Sequence, residues 1–228
     1  MLKSKRAINI VSIAFVVTEI LLWLVILLGG GRVLQFLSVV LAAAVSFLFF
    51  ENKKEVISTE IALIFTCLAD LCLVILDPIR QIPAMLFFSV AQLCYAVRLY
   101  QEERSERRKS YHVLTRVALT VILEGLMLAV LHDDADALTA ITMFYFANLV
   151  LNSAFAFLSG RSKLFSIGLL CFIACDIFVG LGVLFTDYLA LSEESVFYKI
   201  IHPDFNIVWF FYVPSQTLIA LSLKKQNI

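Results

Sequence analysis

Residues 65–76 read FTCLADLCLVIL and residues 171–185 read CFIACDIFVGLGVLF, and each of these apolar runs contains one aspartate. Each belongs to a stretch of about twenty mostly apolar residues, the length that an α-helix needs to cross a bilayer. An aspartate at the centre of such a helix costs roughly 2.5–3.5 kcal/mol on an insertion scale, so it is kept mainly where it faces a protein interior or a wet cavity. Asp70 and Asp176 therefore predict membrane-spanning helices with a functional site inside the membrane.

The composition of the whole chain is that of a polytopic membrane protein. Of its 228 residues, 61% are hydrophobic and 16% are charged, and the mean hydropathy is +0.94. These values lie far outside the range of soluble domains, and the zero net charge gives no reason to expect a nucleic-acid partner. All five cysteines lie in apolar runs, where we expect small buried hydrophobes and neither a metal site nor a cofactor.

Hydropathy breaks at glycine, proline and charge clusters predict an all-α bundle of eight transmembrane helices that forms one domain over residues 1–228. The predicted spans are 8–28, 33–50, 57–76, 82–100, 114–131, 136–158, 164–187 and 206–223. The first follows a basic start, Lys3 to Arg6, as a secretory signal would. It is too long for a signal and lacks a cleavage site, so we interpret it as a spanning helix.

The distribution of basic residues predicts the orientation. Most of the 18 Lys and Arg lie at the two termini or in loops on the same side, whereas the alternate loops hold only Arg32, Arg80 and Lys199. Lys and Arg are enriched in cytoplasmic loops. We therefore expect an integral protein of a bacterial cytoplasmic membrane with both termini in the cytoplasm.

Several polar residues share one predicted depth. Four carboxylates lie about ten to thirteen residues into their helices, or roughly 15–20 Å from the cytoplasmic side at 1.5 Å per residue; they are Glu19, Asp70, Glu124 and Asp176. Three amides reach a similar level from the other side; they are Gln92, Asn148 and Gln216. This arrangement predicts a polar layer near the midplane.

The spacing of these residues also indicates an internal repeat of four plus four helices. Glu19 precedes Asp70 by 51 residues and Glu124 precedes Asp176 by 52, and each aspartate helix is followed by a glutamine helix. A repeat of this kind has a pseudo-twofold axis along the membrane normal, which would gather the matched residues around one axis. The alternative is that polar residues at the centres of many helices align by chance.

Two carboxyl groups that face each other in apolar surroundings share protons unequally, with one protonated and the other ionised, as in general acid catalysis. Asp70 and Asp176 are the candidate pair. Gln92 and Gln216 can donate and accept hydrogen bonds at once, which suits the orientation of a water or a substrate oxygen, and Tyr95 and Tyr212 can supply hydroxyls. The alternative is that these groups hold helices together by hydrogen bonds.

Two outer loops carry further candidates. The loop HDDAD at 132–136, with His202 and Asp204, has the residue types of a metal site, but a solvated acidic loop has the same composition. In the loop 187–204, Ser192 to Glu194 precede an amphipathic stretch that predicts a capped interfacial helix. This helix would either gate the entry of lipid or cover the bundle passively.

Four stretches resemble the lysoplasmalogenase family of YhhN-like membrane proteins. LADLCLV around Asp70 is similar to the family's Gly-Asp-x-Leu segment, and Gln92–Tyr95 to its His-x-x-Tyr segment. Cys175–Asp176 is similar to its Ser-Asp pair, and YVPSQTLIALS at 212–222 to its Tyr-x-x-Ala-Gln-x-Leu-Ile ending. The chain departs from the family pattern at Ala69, at Gln92 where a histidine is common, and at Gln35 where a lysine is common.

The resemblance implies a hydrolase that cleaves the vinyl ether bond of lysoplasmalogens, with Asp70 and Asp176 as the acid and its partner. The expected substrate is a lysophospholipid or another single-chain lipid that enters from the surrounding membrane lipids. The residues expected to line its site are Gln92, Tyr95, Tyr212, Gln216, Glu19, Glu124 and Asn148. Two other classes stay open: a proton-coupled transporter or lipid-binding protein, because carriers place acids at this depth, and a non-catalytic relative, because of the departures.

Overall fold

The computed structural model describes residues 5–49, 54–103, 105–131, 136–183, 195–201 and 203–224, and all regular structure within them is helical. The α-helices are α1 (Lys5–Leu27), α2 (Arg32–Ser46), α3 (Lys54–Asp70), α4 (Gln81–Glu102), α5 (Glu106–Leu131), α6 (Ala137–Ser159), α7 (Lys163–Val183), α8 (Val196–Ile201) and α9 (Ile207–Leu221). A 3₁₀ turn at Phe47–Phe49 extends α2, and a π-helix at Leu71–Ile75 extends α3.

Six helical segments in the described residues are long and apolar enough to cross a membrane. They are Arg6–Leu27, Arg32–Phe49, Val56–Ile75, Gln81–Glu102, Ala137–Ser159 and Lys163–Val183. The prediction of an all-helical membrane protein is therefore confirmed. The count of eight spans is not: α5 is not among the six, α9 has only 15 residues, and α8 is an additional short helix.

The helix α5 begins at Glu106, eight residues before the predicted span at 114–131. The intervening sequence ERRKSYH is polar, so hydropathy cannot distinguish it from a loop. Its charged residues are nevertheless compatible with helix, because Arg, Lys and Glu have high helix propensity. The polar turns therefore extend the helix beyond its apolar part.

The contacts between helices in the first half of the chain have counterparts in the second half. α3 packs along α4, as α7 packs along α9, and α2 packs on α9, as α6 packs on α4. The contacts of α1 with α2 and of α2 with α3 likewise have counterparts in α5 with α6 and α6 with α7. One contact has no counterpart of similar extent in the described residues: α1 packs on α9, whereas α5 packs mainly on α6.

A proline fixes the contact between α1 and α9. Pro214 lies inside α9 and has no N–H to donate to the carbonyl of Phe210 one turn earlier. The indole Nε1 of Trp23 in α1 donates to that carbonyl over 3.1 Å, and the Trp23 and Phe210 rings lie 5.2 Å apart. The gap in the helical hydrogen bonding of α9 thus becomes an attachment point for α1.

A glycine allows α7 to approach α9 closely. A Cβ atom added to Gly168 would lie 2.9 Å from Ile219 Cγ1 and 3.1 Å from the Ser215 carbonyl oxygen. Both distances are shorter than ordinary carbon contacts. The small residue therefore sets the separation of the two helices that carry Asp176 and Tyr212.

The two loops predicted to lie outside are described only in part. A short helix, α8, lies in the second of them, and its Val196 and Phe197 are exposed. The Ser195 hydroxyl caps it by accepting from the Tyr198 N–H over 3.0 Å, while the predicted cap at 192–194 lies outside the described residues. Of the suggested metal-binding loop, residues 132–135 and 202 also lie outside them, and Asp136 caps α6 by accepting from the Thr139 N–H over 2.8 Å.

Candidate active site

Asp70 lies at the C-terminal end of α3, where the helix changes from α to π geometry. Its side chain is 3% exposed, and its Oδ2 accepts a hydrogen bond from the Tyr212 hydroxyl of α9 over 2.6 Å. π-Helical turns are rare and occur often at functional sites, because they shift side chains out of the regular register. The turn after Asp70 thus marks an irregular point in an otherwise regular bundle.

Asp176 has a matching partner. The Tyr145 hydroxyl of α6 donates a short hydrogen bond to Asp176 Oδ2, and the thiol of Cys175 lies beside the same carboxyl group. Both aspartates therefore hold a phenol on one carboxyl oxygen and keep the other oxygen for further contacts.

Aromatic rings join the two aspartate–tyrosine pairs. Phe172 of α7 packs edge-on against both phenols, with ring centroids 5.4 Å from Tyr212 and 6.4 Å from Tyr145. Phe88 of α4 lies 5.5 Å from Tyr145 and 6.0 Å from Phe172. Asp70 also lies within electrostatic range of Asp176. We name the four residues Asp70, Tyr145, Asp176 and Tyr212 the acid–phenol cluster.

The two aspartates differ in their access to the outside of the bundle. Asp70 is buried among helices, whereas Asp176 is partly buried and lies at the edge of the buried face of α7. Its neighbour Ile177 is 43% exposed and Val179 is 46% exposed. The cluster therefore combines one buried aspartate with one whose residue lies nearer the outside of the bundle.

Gln92 and Asn148 belong to a different hydrogen-bond network. Asn152 of α6 donates to the Gln92 side-chain oxygen over 2.9 Å, and Arg116 of α5 donates to Asn152 Oδ1 over 2.6 Å and to Asn148 Oδ1 over 3.2 Å. The network joins α4, α5 and α6. Because these bonds occupy the amide oxygens of Gln92 and Asn148, the two side chains tie helices together.

Gln216 and Tyr95 are completely buried and have unpartnered polar atoms. Neither Gln216 Oε1 nor Nε2 has a hydrogen-bond partner in the described parts of the chain, and the same holds for the Tyr95 hydroxyl. The Tyr95 hydroxyl lies next to the hydroxyl of Thr66. Gln216 is one turn from Tyr212 on α9 and Thr66 is one turn from Asp70 on α3, so this polar region adjoins the cluster.

The other two predicted carboxylates make no hydrogen bond to the aspartates or their tyrosines in the described residues. Glu19 of α1 is 2% exposed and accepts from the Ser38 hydroxyl of α2 over 2.6 Å. Glu124 is partly buried on α5 and makes neither a hydrogen bond nor an ion pair with the described residues. Their common depth with Asp70 and Asp176 therefore does not place them beside the acid–phenol cluster.

Comparison with known proteins identifies the family. The model of the YhhN family matches residues 31–223. The chain belongs to the YhhN family. This confirms the resemblance drawn from the sequence motifs. Searches of curated proteins and of solved structures found no match to this YhhN-family chain.

The matched region of the YhhN-family chain contains the whole acid–phenol cluster, whereas all of α1, with Glu19, precedes it. Sequence reasoning missed Tyr145 and the Arg116 network. A signal for both was present, because Tyr145, Asn148 and Asn152 recur at three- and four-residue spacing and so form a polar stripe on one face of α6.

Proposed function

We propose that this YhhN-family protein hydrolyses the vinyl ether bond of lysoplasmalogens and releases a fatty aldehyde and a glycerophospho-base. Lysoplasmalogenases belong to the YhhN family. The observation that carries the proposal is the acid–phenol cluster, in which two aspartates from different helices each hold a tyrosine hydroxyl and share an aromatic wall. The two acids are predicted to lie near the midplane of the membrane, at a depth that a lipid chain reaches.

The reaction needs an acid, an anion and a water. A protonated carboxyl group transfers its proton to the outer carbon of the vinyl ether, which leaves a cation shared between the inner carbon and the ether oxygen. The ionised carboxylate stabilises this cation, as in glycoside hydrolysis. Water then bonds to the cationic carbon, and the resulting hemiacetal divides into an aldehyde and an alcohol.

The tyrosines position the two carboxyl groups. Each phenol donates to one oxygen, and the Phe172 ring holds both phenols in place. A carboxyl group fixed in this way keeps one oxygen aimed and needs little rearrangement when charge develops, which is the condition for electrostatic stabilisation of a transition state. Tyr145 and Tyr212 are thus positioning residues.

The lipid substrate would reach the cluster from the bilayer. Asp176 lies at the edge of the buried face of α7, next to exposed Ile177. A single hydrocarbon chain is chemically compatible with this surface, and the glycerophospho-base would remain in the more polar region. We accordingly propose that the substrate enters laterally past α7.

We also propose the full topology of eight spans, in which α5 and α9 cross the membrane with the six longer segments and both termini are cytoplasmic. The paired helix contacts support a repeat of α1–α4 in α5, α6, α7 and α9. Labelling of single cysteines introduced into the loops of an otherwise cysteine-free chain tests this orientation from either side of the membrane.

The enzymatic test uses purified protein in lipid nanodiscs with a lysoplasmalogen, and it measures aldehyde release. Asp70→Asn and Asp176→Asn are each expected to abolish release. Glu60→Gln is the matched control, because it removes another buried acid from α3, 4% exposed, and should stay active. Full activity of a folded Asp70→Asn or Asp176→Asn protein would refute the mechanism.

The two other classes predict different results in the same system. A transporter would move lipid or protons across proteoliposomes without aldehyde release. A non-catalytic relative would bind ether lysolipids without turnover. Either result from active-site-intact protein would replace the hydrolase proposal.

A further inference from the structure

Arg116 is a cation within the predicted span 114–131 that has no carboxylate partner among the described residues. Its two hydrogen bonds go to neutral amide oxygens, Asn152 Oδ1 over 2.6 Å and Asn148 Oδ1 over 3.2 Å. The ion pairs of the described ranges involve other arginines. Arginines in membrane segments are rare, are usually paired, and mark the pathways of substrates and ions. Arg116 therefore lacks the anion that a cation at this depth requires.

The two amide groups that hold Arg116 are themselves fixed. Asn152 Nδ2 donates to the backbone and side-chain oxygens of Gln92 over 2.8 and 2.9 Å, and Asn148 Nδ2 donates to the Phe144 carbonyl over 2.9 Å. Asn148 is 3% exposed and Asn152 is 0% exposed. Because their nitrogens are bound elsewhere, both amides present an oxygen to the guanidinium. The position of the cation is thus set by the fold before any ligand binds.

Arg116 lies where a ligand at the surface of the bundle can contact it. The residue is partly exposed, and its neighbours Val113 and Val117, one on either side along α5, are 54% and 58% exposed. The guanidinium lies over the Phe155 ring of α6, 5.6 Å from its centroid. The amides use two of its five N–H groups, and the planar fork suits the oxygens of a phosphate. Such a ligand needs no internal cavity.

The acid–phenol cluster uses the same face of α6. Tyr145, which donates to Asp176, is followed by Asn148 after three residues and by Asn152 after seven. These spacings keep the three side chains on one helix face and correspond to roughly 5 and 10 Å along its axis. Both asparagines lie on the side of Tyr145 that is predicted to face the cytoplasm. Arg116 is therefore the nearest described cation of this stripe to the reacting end.

The dimensions of the proposed substrate match this spacing. In a lysoplasmalogen, seven bonds separate the phosphorus atom from the outer carbon of the vinyl ether. An extended chain covers about 3.8 Å in three bonds, so the two atoms lie at most about 9 Å apart. One lipid molecule can thus place its phosphate at Arg116 and its vinyl ether at Asp176.

We propose that Arg116 binds the phosphate of the lipid substrate and thereby positions the vinyl ether beside Asp176. This inference rests on the proposed function for the reaction but not for the binding of a phosphate. It makes Arg116 a specificity-determining residue, because a lipid without a phosphate leaves the guanidinium without its anion. It also gives the lipid a direction, with the phosphate towards the cytoplasmic end of α6 and the chain at the cluster.

The kinetic test compares a lysoplasmalogen with a 1-alkenylglycerol, which has the same vinyl ether but no phosphate. Arg116→Gln should lower kcat/KM for the lysoplasmalogen by about ten- to a hundredfold, mainly through KM, as expected for the loss of a hydrogen bond to a charged group. It should leave kcat/KM for the alkenylglycerol unchanged. An equal fall for both substrates would show that Arg116 only holds α5 on α6, and it would overturn the proposal.

Two further variants complete the kinetic test. Arg161→Gln is the matched control, because Arg161 lies at the same end of the bundle but has a carboxylate partner, Glu103, at 3.6 Å; it should change neither substrate. Arg116→Lys keeps the charge and loses the planar fork, so it should lower kcat/KM several-fold for the lysoplasmalogen alone. This variant replaces Arg116→Gln if the latter does not fold, and an unchanged preference for the phosphate in it would refute the site.

Binding is tested without turnover by native mass spectrometry in a maltoside detergent, which contains no phosphate. The ligands are a 1-alkyl-lysophosphocholine, whose saturated ether is not a substrate, a 1-alkylglycerol and glycerophosphocholine. The wild type should bind the lysophosphocholine about ten- to a hundredfold more tightly than the alkylglycerol, and Arg116→Gln should abolish this difference.

Equal affinity of the wild type for these two lipids would refute the phosphate site. Glycerophosphocholine that binds as tightly as the lysophosphocholine would refute a lipid as its ligand. Phosphate-dependent binding through Arg116 without aldehyde release from a lysoplasmalogen would refute the hydrolase and leave the phosphate site standing.

Discussion

Removal of the Tyr212 hydroxyl offers a direct measurement of how much the acid–phenol cluster depends on its phenols. In Tyr212→Phe the ring keeps its contacts with Phe172 and Trp209, at centroid distances of 5.4 and 5.2 Å, and only the 2.6 Å bond to Asp70 is lost. A hydrogen bond to a charged group contributes about 1.5–3 kcal/mol. At 1.36 kcal/mol per factor of ten, kcat should fall by about 10- to 150-fold.

The assay measures aldehyde release over a range of lysoplasmalogen concentrations, together with the thermal unfolding of each variant in the same nanodiscs. KM should change little, because Tyr212 contacts the carboxyl group and not the lipid. Tyr145→Phe should reproduce the loss through Asp176. Tyr100→Phe removes a phenol that is 41% exposed and is the control for the general effect of the substitution.

The result that would contradict the positioning role is a Tyr212→Phe protein with unchanged kcat. A fall in unfolding temperature alone would show that the bond serves the packing of α3 against α9. The two readouts therefore separate catalysis from structure. A combined Tyr212→Phe and Tyr145→Phe variant should lose more activity than either single variant, because each phenol holds a different carboxyl group.

Three further predictions concern the scaffold. Gly168→Ala should destabilise the fold by about 1–3 kcal/mol in denaturant unfolding, because the added Cβ is forced against α9; Gly180→Ala, with open space around it, should not. Trp23→Phe should lower the free energy of unfolding by about 1–3 kcal/mol by leaving the partly buried Phe210 carbonyl unpaired. Pro214→Ala should restore much of that loss, since it returns the missing N–H. Hydrogen bonds from Thr139 lower the pKa of Asp136. The cap therefore stabilises α6 fully at pH values above the ordinary aspartate pKa, and this stabilisation is lost as the pH falls through the lowered pKa. The melting temperatures of wild type and Asp136→Ala should differ at pH 7 and converge in acid.

Much of the fold could be predicted because a membrane helix is defined by length and hydropathy. The runs that contain Asp70 and Asp176 were sufficient to identify their helices, but polar turns hid the start of α5 at Glu106. The π turn after Asp70 was not predictable, since Leu71–Ile75 has the same apolar composition as a regular helix. Tyr145 was missed because a tyrosine in an apolar helix is more often an interfacial anchor.

The candidate site shows that the sequence of a membrane helix gives the depth of a residue but not the direction of its side chain. Counting residues from a helix end gives depth, because each residue adds 1.5 Å, and this count placed Glu19, Glu124 and the two aspartates at one level. Depth does not give the face of the helix, and uniformly apolar helices lack the polar side that would supply it. Glu19 consequently bonds to Ser38 and Glu124 remains on a peripheral helix, while Asp70 and Asp176 meet the phenols of α9 and α6. A second polar residue three or four positions away lies on the same helix face and so identifies the face that is turned towards the interior. Thr66 has this relation to Asp70, and Gln216 has it to Tyr212.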